Sequence, residues 1–207
     1  MIDIGPVGRR VAAGLIALVG WIGIGVQLDA STVLAGSVLG AVWTMLLFFT
    51  IIANLLAAIV MTGIALDRRA FTAPVTIGGV TIAILLVGVV YALLLRGLLE
   101  LSGGAWLADV LLHSVTPVLV PLYWLLLAPK GGLTWRAPFL WACLPLAYFG
   151  YALVRGGLEA RYPYPFMNVA KIGWAATLTN ATAMAVGFLL VGFALVWLDR
   201  RLARGGR

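Results

Sequence analysis

The chain has 207 residues, enough for one domain. Its hydrophobic fraction is 63% and its charged fraction 10%, against about 45–50% and about 25% in a soluble domain; with the apolar residues in long blocks, a soluble globular fold is excluded. The net charge of +7 comes from basic residues at the ends of apolar runs, where they orient membrane spans and do not point to nucleic acid.

A bilayer crossing needs about 20 apolar residues. Six are predicted: Val7 to Leu28, Leu39 to Leu66, Pro74 to Leu95, Ala105 to Ala128, Arg136 to Val154, and Ala175 to Leu198. The expected fold is therefore an all-α integral membrane bundle of six helices forming a single domain over residues 1–207. Arg9 and Arg10 before the first run resemble the start of a signal peptide. The run continues to about Gln27 with no convincing cleavage site and more spans follow, so a retained first helix is expected. The linkers are short and carry Gly and Pro, as in Ser102-Gly103-Gly104 and Pro129-Lys130-Gly131-Gly132.

Lys and Arg in the loops set the direction. With both termini inside, the inner side holds Arg9, Arg10, Arg68, Arg69, Lys130, Arg136, Arg200, Arg201, Arg204 and Arg207, and the outer side holds Arg96, Arg155, Arg161 and Lys171. Ten against four predicts cytoplasmic termini.

Several spans carry polar residues: Thr44, Thr50, Asn54 and Thr62 in the second, Asp109, His113, Ser114 and Thr116 in the fourth, Tyr148 in the fifth, and Thr177, Thr179, Asn180 and Thr182 in the sixth. Polar groups in lipid generally face the bundle interior, which predicts a polar pocket. Thr50 lies seventeen positions before Asp67, and His113, the single histidine, lies seventeen before Lys130. At 1.5 Å rise per residue each is roughly 25 Å above the inner boundary, in the outer half of a hydrocarbon core about 30 Å thick. A hydroxyl and an imidazole at one level can act as nucleophile and base. The imidazole suits the task because its unperturbed pKa is about 6.5.

Asn54 shares a helix face with Thr50, and Asp109 shares one with His113. Each has two readings. The Asn54 amide donates to a developing oxyanion, or it joins helices. Asp109 fixes the imidazole tautomer as a third triad member, or it is a carboxylate favoured near a helix start. Arg155 and Arg96, near the outer interface, hold a fatty acid carboxylate or lipid phosphate, or they snorkel; Arg155 also has Glu159 four residues on as a partner. "RYPYPFMNV", between the last two spans, covers a pocket mouth or forms an aromatic interfacial belt. Cys143 is a small packing residue. One histidine and one cysteine do not make a zinc ligand set, so no metal or other cofactor is expected.

"FFTIIANLLAAIV" in the second span resembles the threonine-containing helix of the androgen-induced protein family of six-span membrane proteins. "HSVTPVLVPLYWLLLAPKG", "PLAYFGYALVRG" and "YPYPF", in that order, resemble the later half of its bacterial branch. The resemblance covers nearly the whole chain. It implies a threonine hydrolase that cleaves fatty acid esters of hydroxy fatty acids or related lipid esters, with Thr50 in "FFT" and His113 in "HSVTP" as catalytic residues. It also implies a bacterial inner membrane, with lipid esters and membrane lipids as partners. The competing class is a non-enzymatic lipid-binding scaffold or small-molecule transporter; against transport, the sequence has no inverted repeat and no paired broken helices.

Overall fold

Helix starts and ends fall where proline and glycine put them. Pro6, Pro74 and Pro138 sit in the first turns of three helices, where the missing N–H has no intrahelical acceptor. Gly36, in the left-handed region at φ 70°, closes the first helix. The computed structural model describes residues 4–98 and 100–205. In chain order the elements are α1 (Gly5–Ala35), α2 (Val38–Met45), α3 (Phe49–Ala65), α4 (Pro74–Val90) running into a π-turn (Tyr91–Leu95), α5 (Gly103–Val110), a second π-turn (Leu111–Val115), α6 (Thr116–Leu126), α7 (Ala137–Glu159) and α8 (Val169–Gly205). No strand occurs among the described residues.

Five helices are each long and apolar enough to cross a membrane: α1, α4 with its π-turn, α5 through α6, α7 and α8. Large apolar side chains cover the outside, with Leu15 62%, Leu140 62% and Leu190 64% exposed. In water this would be costly; in lipid it is the expected inside-out surface. The chain is a multi-pass helical membrane protein.

The second predicted span departs from expectation. Leu39 to Leu66 is not one helix: α2 and α3 meet at 97° across Leu46–Phe48. Phe48 takes an extended conformation (φ −99°, ψ 129°) before α3. The buried Tyr148 hydroxyl donates to the Leu47 carbonyl at 2.9 Å, supplying a partner that the interrupted helix does not. The last helix is also interrupted: Gly173 stands at φ 76°, ψ 167°, so the regular helix begins close to the predicted Ala175.

Helix α1 packs on α2, α3 and α5, while α4 packs on α3 and α6, and α7 on α8. At one end of the bundle Arg10 donates to the Ala65 carbonyl and pairs with Asp67 at 3.5 Å. The loop after α6 is tied to the far end of α8: buried Asp199 accepts from the Gly131 and Leu133 N–H groups at 2.9 and 3.0 Å. Lys130 donates to the Trp124 and Ala128 carbonyls at the end of α6. Burial pushes its ammonium down to about 8, with Asp199 pulling the other way. The polar pocket lies toward the opposite end.

Asp199→Ala leaves two backbone donors without acceptors. Each such group costs about 1–3 kcal/mol when buried, so the variant should unfold at lower temperature than the wild type in the same detergent. Equal melting temperatures would show that water replaces the carboxylate.

Candidate active site

Pro117 shapes the segment that carries His113. In a π-turn the carbonyl of residue i looks to the N–H of residue i+5. The Thr116 N–H does bond the Leu111 carbonyl, but the next donor in that register is Pro117, which has none. The Leu112 carbonyl is therefore left over. Asn54 fills the gap: its Nδ2 donates to the Leu112 carbonyl at 3.1 Å and to the Thr50 carbonyl at 2.9 Å. Its Oδ1 accepts from the Thr116 hydroxyl at 2.5 Å. Asn54 and Thr116 are 1% and 2% exposed, and this polar cluster has its hydrogen bonds made.

Asn54 thus joins the residue before His113 to the carbonyl of Thr50. Across this bridge the side chains meet: Thr50 Oγ1 lies 3.1 Å from His113 Nε2. Thr50 is 6% exposed and stands in the first turn of α3. Both Asn54 amide hydrogens are engaged by carbonyls, so the oxyanion-donor reading is corrected in favour of the helix-joining one.

Asp109 Oδ1 lies 3.0 Å from His113 Nδ1. The distance is that of an ion pair, but the N–H vector points off the oxygen, and Nδ1 has no aligned hydrogen bond. Asp109 comes six residues after the start of α5 at Gly103, beyond the first turn where the helix dipole acts, so the helix-start reading does not apply.

Tyr91 completes the surroundings of the ring and was not singled out from sequence. Its hydroxyl donates to Asp109 Oδ2 at 2.5 Å, and its ring stacks on His113 with centroids 4.4 Å apart at 19°. Close helix approach makes this possible. A Cβ on Gly88 would fall 2.7 Å from Pro117 Cβ, so only glycine lets α4 lie against the histidine segment, one turn before Tyr91.

Two cavities meet at Thr50. The larger, about 700 Å³, is lined by Asp109, His113, Tyr91, Gln27, Asn168 and Lys171 among others. The smaller, about 110 Å³, is almost wholly apolar, with Leu86, Val87, Leu146, Met184 and Phe188 in its wall. Thr50, Leu95 and Tyr164 line both.

The loop "RYPYPFMNV" folds inward. Tyr162, Pro163, Tyr164 and Pro165 line the larger cavity. Tyr164 is extended (φ −135°, ψ 145°) as a residue before proline should be, is 9% exposed, and stacks on Phe166. This placement favours the pocket-cover reading. Burial pushes the Tyr164 phenol up; the Thr50 hydroxyl, the N–H groups of Thr50 and Phe49, and the Tyr148 hydroxyl beside it pull the other way.

Arg155 does not line either cavity. Its guanidinium donates to Glu159 and to the Tyr151 hydroxyl at 2.8 Å each and lies 4.0 Å from the Trp43 ring centroid. Trp43 in turn donates to Glu159 at 3.0 Å. Arg155 clamps α2 to α7, and Glu159 is its partner. Among the described residues no three His, Cys, Asp or Glu side chains cluster as a metal site. No family profile, curated protein or solved structure matches this chain.

Proposed function

We propose that the protein is an intramembrane lipid ester hydrolase with Thr50 as nucleophile and His113 as general base. The observation that carries this reading is the 3.1 Å contact between Thr50 Oγ1 and His113 Nε2, with Thr50 in the wall that two cavities share. A lone membrane threonine usually bonds back to its own helix, as Thr62, Thr81 and Thr177 do here. Thr50 instead faces the imidazole.

The chemistry follows from the placement of these groups. The Asp109 carboxylate 3.0 Å from Nδ1 favours the proton on that nitrogen, which leaves Nε2 to accept the Thr50 proton. The Thr50 oxygen attacks the ester carbonyl carbon and the carbonyl π electrons move to oxygen. Collapse breaks the ester C–O bond, and the imidazolium gives its proton to the departing alkoxide. Water then loses a proton to His113, attacks the acyl-threonine carbonyl, and releases the acid as Thr50 recovers its hydrogen. The apolar cavity suits an acyl chain. The larger cavity takes the alcohol part. Fatty acid esters of hydroxy fatty acids, which have a long chain on each side of the ester, are the substrate class favoured here.

We count the bent α2–α3 pair as one crossing, giving six, and place both termini in the cytoplasm of a bacterial inner membrane. The ten-to-four distribution of Lys and Arg supports this direction. In that frame the larger cavity opens toward the outer leaflet.

Three outcomes are expected. Thr50→Ala abolishes ester hydrolysis and covalent labelling by an activated fluorophosphonate while the protein stays folded, and Thr50→Ser keeps part of both. A protein that never reacts with the probe would instead be a lipid-binding scaffold or transporter. His113→Gln lowers kcat by about 10²–10⁴-fold, and the wild-type rate falls on the acid side because imidazolium accepts no proton; a flat acid limb in a pH–rate profile would make His113 structural. A reporter active only in the cytoplasm gives signal when fused to the C-terminus, and a periplasm-active one stays silent; the reverse pattern refutes the assigned direction.

A further inference from the structure

The mechanism above needs a group to stabilise the oxyanion, and Asn54, the sequence candidate, has no free amide hydrogen. Other donors lie at the start of α3. The Ile51 N–H is taken by the Phe48 carbonyl at 3.1 Å. The N–H groups of Phe49 and Thr50, in the first turn of α3, come too early for intrahelical acceptors, and the Tyr164 ring packs at this turn. Tyr164 is buried. It stands beside the Thr50 hydroxyl in the wall shared by both cavities.

We infer that Tyr164 is a further catalytic residue, forming with the Phe49 and Thr50 backbone N–H groups the oxyanion site of the hydrolase. This rests on the reading of Thr50 as nucleophile. When an ester enters, its carbonyl oxygen takes those two donors, and the Tyr164 hydroxyl turns to donate a third hydrogen bond. The proton stays on the phenol throughout, so the step adds hydrogen bonds and transfers nothing. Burial, which favours the protonated phenol, keeps the donor available.

The fold holds the hydroxyl there independently of substrate. The Tyr164 ring stacks on Phe166 at 5.1 Å and meets Phe48, the residue before α3, edge-on at 6.0 Å. The Asn180 side chain fixes the same loop by donating to the Phe166 carbonyl at 2.9 Å. Removing only the hydroxyl should therefore leave the ring and loop in place.

The test uses full-length protein in lipid nanodiscs with a long-chain ester substrate. Tyr164→Phe should lower kcat by about 10²–10³-fold, the usual loss for one oxyanion donor, with KM little changed. It should lose a similar factor in affinity for a long-chain trifluoromethyl ketone, whose adduct with Thr50 carries an oxyanion. Affinity for the matching ether, which cannot form the adduct, should hold. Tyr164→Leu, which also removes the ring, should in addition weaken ether binding. Wild-type kcat in Tyr164→Phe, or equal losses for ketone and ether, overturns the assignment while leaving Thr50 as nucleophile. A wild type that forms no adduct with the ketone and does not react with fluorophosphonate overturns both readings.

Discussion

The site depends on one side chain reaching between two helices. Asn54 donates to the carbonyl of Thr50 on its own helix and to the carbonyl of Leu112 on the next. The second carbonyl is available because Pro117 has no N–H to give it. In hydrocarbon an unpaired carbonyl costs several kcal/mol, so the proline creates a demand that Asn54 from α3 meets at 3.1 Å together with the Thr116 hydroxyl at 3.3 Å. Meeting it fixes the separation of α3 from the histidine segment, and Thr50 and His113 come within 3.1 Å as a consequence. Asn54 is thus a positioning residue. Thr116 locks it by donating to the remaining oxygen.

Much of this was legible in the residues. A single histidine in an apolar span, and a threonine at the same count from the inner anchors, suffice to pair His113 with Thr50. The count works because the seventeen steps from Thr50 to Asp67 cover the whole of α3 after its first residue and stop short of the α2–α3 corner. That corner is not legible. "TMLLFFT" contains no glycine or proline, and the interruption is supported by a tertiary contact, the Tyr148 hydroxyl on the Leu47 carbonyl. Tyr91 was missed for a similar reason. A tyrosine at the end of a span reads as an interfacial anchor, and its role follows from Gly88 admitting Pro117. Only the folded chain brings those two residues together.

Arg155 illustrates how charge is handled near the lipid. As a lone arginine by the outer interface it reads as free to bind an anion. In the fold two of its donors engage Glu159 and Tyr151, and its face lies on Trp43. Arginine suits such a junction because its planar fork makes directed bonds while its face stacks. The result closes α2 against α7, on the far side of the corner from α3. Lys171, by contrast, lines the larger cavity and is exposed.

The corner between α2 and α3 has a chemical consequence of its own. A continuous helix through Thr50 would bury its N–H in the backbone ladder and leave nothing there for a substrate. Breaking the helix at Leu46–Phe48 makes Phe49 and Thr50 the first residues of α3. Their N–H groups are freed, and the positive end of the α3 dipole is set beside the Thr50 hydroxyl. Negative charge that develops on a bound carbonyl is favoured at such an end, more strongly in a site that excludes water. On the proposed reading, the break gives Thr50 both the nucleophilic hydroxyl and a donor backbone N–H. The same break needs Tyr148 to satisfy Leu47, and Tyr148 stands beside Tyr164. The irregularity that the apolar sequence hides is what turns a membrane helix into a place where charge can form.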